Sequence, residues 1–164
     1  MIHLAAVNEP TASFPVLLFD GECGLCNRVV RSLLRLGRGA RLRFAALQGP
    51  PAQEFLGRHG LPTADFDSFV FVPDWGRRDS PDFLLRTDAV IAVLRTCGGP
   101  WRVASGVLGL VPAGIRDGAY RIVARWRHRI FGPWHPGPLP RTEWRDRFIG
   151  PTPGGASSAK EPAT

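Results

Sequence analysis

Phe14 to Gly37, FPVLLFDGECGLCNRVVRSLLRLG, narrows the possible folds more than any other stretch. The apolar run Val16-Leu17-Leu18-Phe19 stops at Asp20-Gly21, and two cysteines follow at C-x-x-C spacing, Cys23 and Cys26. Behind them Cys26, Val29, Val30, Leu33 and Leu34 recur at intervals of three and four and share one helical face, with Arg28, Arg31 and Arg35 on the others. The stretch reads as strand, tight turn, CxxC and helix.

A cysteine at a helix start lies near unpaired backbone N–H groups and the positive end of the helix dipole. Both favour thiolate over thiol, and the thiolate is the nucleophile of disulfide exchange. Cys23, at the entrance, is expected to be the more exposed; Cys26, one turn further in on the apolar face, is placed to resolve a mixed disulfide. Glu22 opposes this, because a neighbouring carboxylate raises a thiol pKa.

One domain is expected from 164 residues, and 44% apolar residues suffice for a core. Three cysteines are too few, and of the wrong parity, for a disulfide framework. No apolar N-terminal segment has the pattern of a signal peptide, and no run reaches the roughly 18 uncharged apolar residues of a membrane span. A reducing cytoplasm is therefore the expected compartment, where a CxxC more often does redox or metal chemistry than bridging. The net charge of +7 comes almost wholly from arginine, Lys160 being the only lysine. The arginines are spread along the chain, which argues for compositional bias over a nucleic-acid surface.

Strand one, Val16–Phe19, is followed by a helix from Gly24 to Leu36, ended by Gly37 and Gly39. Leu42, Phe44 and Ala46 alternate as a second strand, and a short helix spans Ala52 to His59. Phe69–Val72 and Phe83–Arg86 make a hairpin candidate, and Thr87 or Asp88 caps the next helix, which stops at Gly98-Gly99-Pro100. This β-α-β-α-β-β-α order is that of an α/β, thioredoxin-like mixed sheet flanked by helices. The expected organisation is a flexible tail over 1–13, a core over 14–99, a helical extension packed on it over 100–150, and a disordered tail over 151–164. In the extension, Trp101 to Leu110 reads as a short helix and Ala113 to Phe131 as a strong amphipathic one. Ile115, Ala119, Ile122, Val123, Trp126 and Ile130 fall in one arc, opposite Arg121, Arg125 and His128, so the arc is expected to pack on the domain. Thr142 to Phe148 suggests one or two further helical turns.

The runs LLFDGECGLCNRVV, FAALQG, DSFVFV, RTDAVIAVLRTCGGPWRV and IRDGAYRIVARWRHRIFG, in that order, resemble the DCC family of thiol-disulfide oxidoreductases. The resemblance covers Phe14 to Ile149 and implies a thioredoxin-like fold with redox-active cysteines. The family's name-giving aspartate and cysteines would here be Asp20, Cys23 and Cys26. Two features depart from the pattern. Gly137-Pro138-Leu139-Pro140 lacks the further cysteine that members often carry near the C-terminus, and Asp67-Ser68 stand where thioredoxins have a cis-proline before the third strand.

For the two cysteines, redox chemistry is weighed against zinc binding and an inert pair. Zinc commonly takes four ligands; there is no second CxxC, and His59, His128 and His135 are scattered, leaving only a mixed site with distant ligands. No cofactor is expected. Asp20 reads either as a group that tunes the cysteines or relays a proton, or as a turn aspartate before Gly21. Cys97 reads as a small half-buried residue, Asp88 as a cap, and Arg116 and Asp117 as solvated charges or local pairs. Trp126, Trp134 and Trp144 interleave with arginines, which nucleic acid or an anionic membrane could use, though core packing is the plainer reading. The expected partner is a protein or small molecule bearing a disulfide or thiol, with an unspecified electron donor. The alternative is a non-enzymatic module whose basic helical C-terminal part docks on a partner protein or membrane.

Overall fold

A computed structural model describes residues 13–36, 41–66, 68–133 and 142–151. Its centre is β1 (Val16–Phe19), buried along its whole length. β2 (Arg43–Ala46) runs parallel to it, Leu17 opposite Phe44, as a strand pair joined by a helix must. On the other side β3 (Val70–Val72) runs antiparallel, Leu17 opposite Phe71, and β4 (Leu84–Leu85) closes the sheet in the order β2-β1-β3-β4. This is the mixed sheet of the thioredoxin-like α/β fold.

Alternate residues of β1 feed two cores, which is why its run is continuously apolar. Leu17 and Phe19 join Val30 and Leu34 of α1 (Gly24–Leu36) and Ala89 and Val93 of α3 (Arg86–Cys97). Val16 and Leu18 face Phe55 and Leu56 of α2 (Pro50–Arg58) and Trp75. The hairpin is shorter than the sequence suggests because a turn of 3-10 helix at Trp75–Arg77, capped by Asp74 accepting from the Gly76 N–H, takes up the connection. Beyond α3 come α4 (Pro100–Leu110), packed on α3, and α5 (Ala113–Phe131), packed on α1 and α3. A 3-10 segment at Thr142–Arg147 returns the chain to β2, where the Ile149 N–H donates to the Phe44 carbonyl at 2.8 Å.

Three expectations are corrected here. Neither Thr87 nor Asp88 caps α3: the residue before the helix is Leu85, with no capping side chain, and both side chains cross to α5. Thr87 Oγ1 donates to Asp117, and Arg116 reaches Asp88 at 3.2 Å, so these charges tie two helices together. The apolar arc of α5 faces outward, with Ile115, Ile122, Val123, Trp126 and Ile130 exposed. Trp144, by contrast, is buried in the core. The glycines expected to end α1, the segment 134–140 with Trp134 and His135, and nearly all of both tails lie outside the described residues.

Candidate functional site

The site forms where β1 runs out. Asp20 makes the turn: its Oδ1 accepts from the Glu22 N–H at 3.0 Å, and its carbonyl from the Cys23 N–H at 3.3 Å. Asn27 fastens the turn to α1, its Nδ2 donating to the carbonyls of Gly21 and Cys23 at 2.8 and 3.0 Å. Cys23 therefore stands immediately before α1, and its Sγ accepts from the Cys26 N–H at 3.5 Å. That is the geometry of a helix N-cap, with sulfur in place of the usual oxygen.

From 107 residues away, α5 brings Arg127 into the same place, although an interior arginine needs partners. Its guanidinium donates to Asp20 Oδ2 at 3.4 Å, to Cys26 Sγ at 3.8 Å and to the Phe66 carbonyl. Gln48, from the turn after β2, holds the other side of Asp20: Nε2 donates to Oδ1 at 2.7 Å while Oε1 accepts from the Gly21 N–H. The chain ahead of β3, where a cis-proline would stand in a thioredoxin, is thus gripped by α5. Arg127 takes the Phe66 carbonyl, and the Tyr120 hydroxyl accepts from the Phe69 N–H at 3.1 Å.

The two sulfurs are inequivalent. The Cys23 thiol is lowered from its ordinary value to about 6, first because the Cys26 side chain hydrogen-bonds to it. Burial opposes this, but the Cys26 N–H, the Arg127 charge and the Leu25 N–H add to the lowering. Cys26 is pushed above the ordinary thiol range by the same hydrogen bond, by burial, and by the charges of Cys23 and Asp20, against Arg127. The opposing influence expected of Glu22 does not prevail; that side chain is exposed. Cys97 lies in the core among α3 and Trp144, and burial raises its pKa.

Cys23 is not the more exposed sulfur: it is 0% exposed and Cys26 is 2%. The cause is the end of α5. Pro133 forms a β-bridge with Cys23, and the Gly24 N–H donates to the Gly132 carbonyl at 3.3 Å. Position 24 needs glycine for this approach, since a Cβ there would stand 2.7 Å from the Phe131 carbonyl oxygen. Gly132, at φ 64°, ends α5 in the left-handed region and turns the chain across the cysteine. Beside this cover lies an open cleft of about 680 Å³ lined by Asp20, Glu22, Gln48, Asp65, Arg127 and His128. His128 stands half-exposed at its edge, its ring nitrogen within 4.8 Å of Cys23 Sγ.

Asp20, Cys23 and His128 bring their ligand atoms within 4.8 Å of one another, a mixed set that could meet a metal ion. The Arg127 guanidinium, 3.4 Å from the same carboxylate, opposes a cation there and suits a thiolate instead.

The profile of DCC1-like thiol-disulfide oxidoreductases matches residues 17–133. The chain belongs to that family. It is 36% identical over 134 residues to the uncharacterized protein YuxK of Bacillus subtilis, covering 82% of this chain and 93% of that one. It is 30% identical over 118 residues to a chloroplastic DCC family protein of Arabidopsis thaliana, covering 72% of this chain and 65% of the relative. No solved structure matches the chain. Membership supports a redox role for the close pair Cys23 and Cys26. Of the residues around that pair, the sequence does not mark Gln48 or Arg127 as site residues, and it offers His128 only as a distant ligand of a mixed zinc site. Gln48 stands in the FAALQG block, a family signal, but nothing local marks an arginine on α5 as an inward one.

Proposed function

We propose that the chain is a thiol-disulfide oxidoreductase with Cys23 as nucleophile and Cys26 as resolving cysteine. The observation that carries this reading is Cys23 Sγ at the start of α1, accepting from the Cys26 N–H and lowered to about 6, next to a partner sulfur that holds its proton. A thiol lowered in this way is mainly thiolate at pH 7.

Cys23 thiolate attacks one sulfur of a substrate disulfide; the new S–S bond forms as the old one breaks, and the released thiolate takes a proton from solvent. Cys26 then gives up its proton and attacks Cys23 Sγ, expelling the second substrate thiolate. Two electrons have passed to the substrate, and the chain holds a Cys23–Cys26 disulfide until a thiol donor reduces it. Asp20 is the group we assign to receive the Cys26 proton. Arg127 touches both Cys26 and Asp20 and is a positioning residue. Because Cys23 is covered, exchange requires the Gly132–Pro133 segment to lift. A slim disulfide entering by the cleft fits this better than a broad protein surface.

The test is turnover of a small disulfide with a dithiol as reductant. The wild-type chain should accelerate it and Cys23→Ser should fall to the uncatalysed background, with Cys97→Ser unchanged. Equal turnover by Cys23→Ser would overturn the reading.

A further inference from the structure

The helix that supplies Arg127 is built inside out. Arg116, Asp117, Tyr120 and Arg127 share its inner side, tied to α3, the chain before β3 and Asp20. Its outer side carries Ile115 (65% exposed), Ile122 (63%), Val123, Trp126 and Ile130 (67%). These residues recur at helical spacing, so they form one stripe roughly 22 Å long. Turning the stripe inward would take Arg127 off Asp20, so the apolar side is committed to solvent. Separately, α4 exposes Val103, Val107 and Leu110. So many large apolar side chains in the open mark an interaction surface.

The charge around the stripe says what kind. Arg125 and Arg129, both exposed, edge one flank of the stripe with Arg121 further round the helix, and the Arg129 guanidinium lies over the Trp126 ring at 5.4 Å. Asp117 is the only acid between residues 100 and 133, and it accepts from Thr87, away from the stripe. An apolar stripe with a tryptophan, edged by arginines on a helix whose own single carboxylate is turned to Thr87, is the pattern of a helix lying in a membrane interface. No described helix is long and apolar enough to cross a membrane, so the contact would be superficial. A second copy fits worse, because α5 itself turns no carboxylate outward to meet the other copy's arginines.

We infer that the outer face of α5 seats the protein on an anionic lipid surface, the apolar stripe entering the headgroup boundary and the flanking arginines meeting lipid phosphates. The inference stands apart from the redox reading, since none of these outward residues touches the sulfurs.

The test is co-sedimentation of the full chain with vesicles of phosphatidylcholine alone or mixed with phosphatidylglycerol. The wild type should pellet with the anionic vesicles at low salt, and less at high salt. Ile122→Glu should lower that partition more than tenfold, and Arg125→Glu by at least fivefold. Both are surface changes, and retained turnover or circular dichroism would show that they fold. Absence of wild-type pelleting, or pelleting indifferent to Ile122→Glu, would overturn the inference. So would a lipid-free dimer in sedimentation velocity that Ile122→Glu disperses, because the stripe would then belong to a second copy.

Discussion

Cys26→Ser should convert a turning-over protein into one that stops halfway. Offered an aromatic disulfide whose released thiolate is coloured, the wild type should release both halves of the reagent: the first on attack by Cys23, the second when Cys26 resolves the adduct. The serine variant should release one half quickly and keep the other, bonded to Cys23 and visible as added mass on the peptide containing it. The residue count is unchanged and serine still fits the interior, so a folding failure is not expected. The serine hydroxyl can still donate to the Cys23 sulfur in place of the Cys26 thiol, the largest contribution that lowers Cys23, so the first release should stay fast at pH 7. A variant that still released both halves would remove Cys26 from the reaction, and an adduct found only on Cys97 would remove Cys23.

The second large effect is expected at Arg127→Met. Asp20 has a side chain only 9% exposed, and its Oδ2 would lose the guanidinium now 3.4 Å away. Breaking a buried ion pair by removing one partner typically costs about 3–5 kcal/mol. Gln48 and the Glu22 N–H still hold Asp20 Oδ1, so the low end, about 3 kcal/mol, is expected. For a chain of this size that lowers the melting temperature by roughly 6–12 °C. The Cys23 pKa should rise as well, since Arg127 is among the groups that lower it, so exchange at pH 6 should suffer more than exchange at pH 9. Arg127→Lys should recover part of the pH effect but little of the stability, because one ammonium cannot reproduce a fork shared by Asp20, Cys26 and Phe66. Unchanged melting and an unchanged pH profile would show that α5 merely rests on the site.

What could be read in advance, and what could not, follows from how far apart in the chain the interacting groups lie. The strand, turn and helix around the cysteines were legible because periodicity and turn chemistry are local: α1 spans Gly24–Leu36 as the spacing of its apolar residues indicates. The extent of α5, Ala113–Phe131, was legible for the same reason. Its orientation was not. The usual inference that the apolar side of an amphipathic helix faces the core fails here, because the inner side is occupied by polar residues with specific partners, Arg127 above all. Thr87 and Asp88 misled similarly: residues suited to capping a helix were drawn into contacts with another. Cys23 looked accessible because a helix start usually is. Its cover comes from Gly132 and Pro133, more than a hundred residues later, and the small residue that admits them, Gly24, looks in the sequence like any turn glycine.

The central claim is that the fold makes an anionic sulfur of Cys23 at neutral pH while Cys26 remains a thiol. Ultraviolet titration of the thiolate band in a Cys97→Ser background tests it most directly, with Cys23→Ser as the control that assigns the signal. The account predicts that absorbance rises around pH 6 and that this step vanishes in Cys23→Ser, with no second thiolate appearing in the range where a free thiol ionises. A first step near pH 9, or one that persists without Cys23, would contradict it.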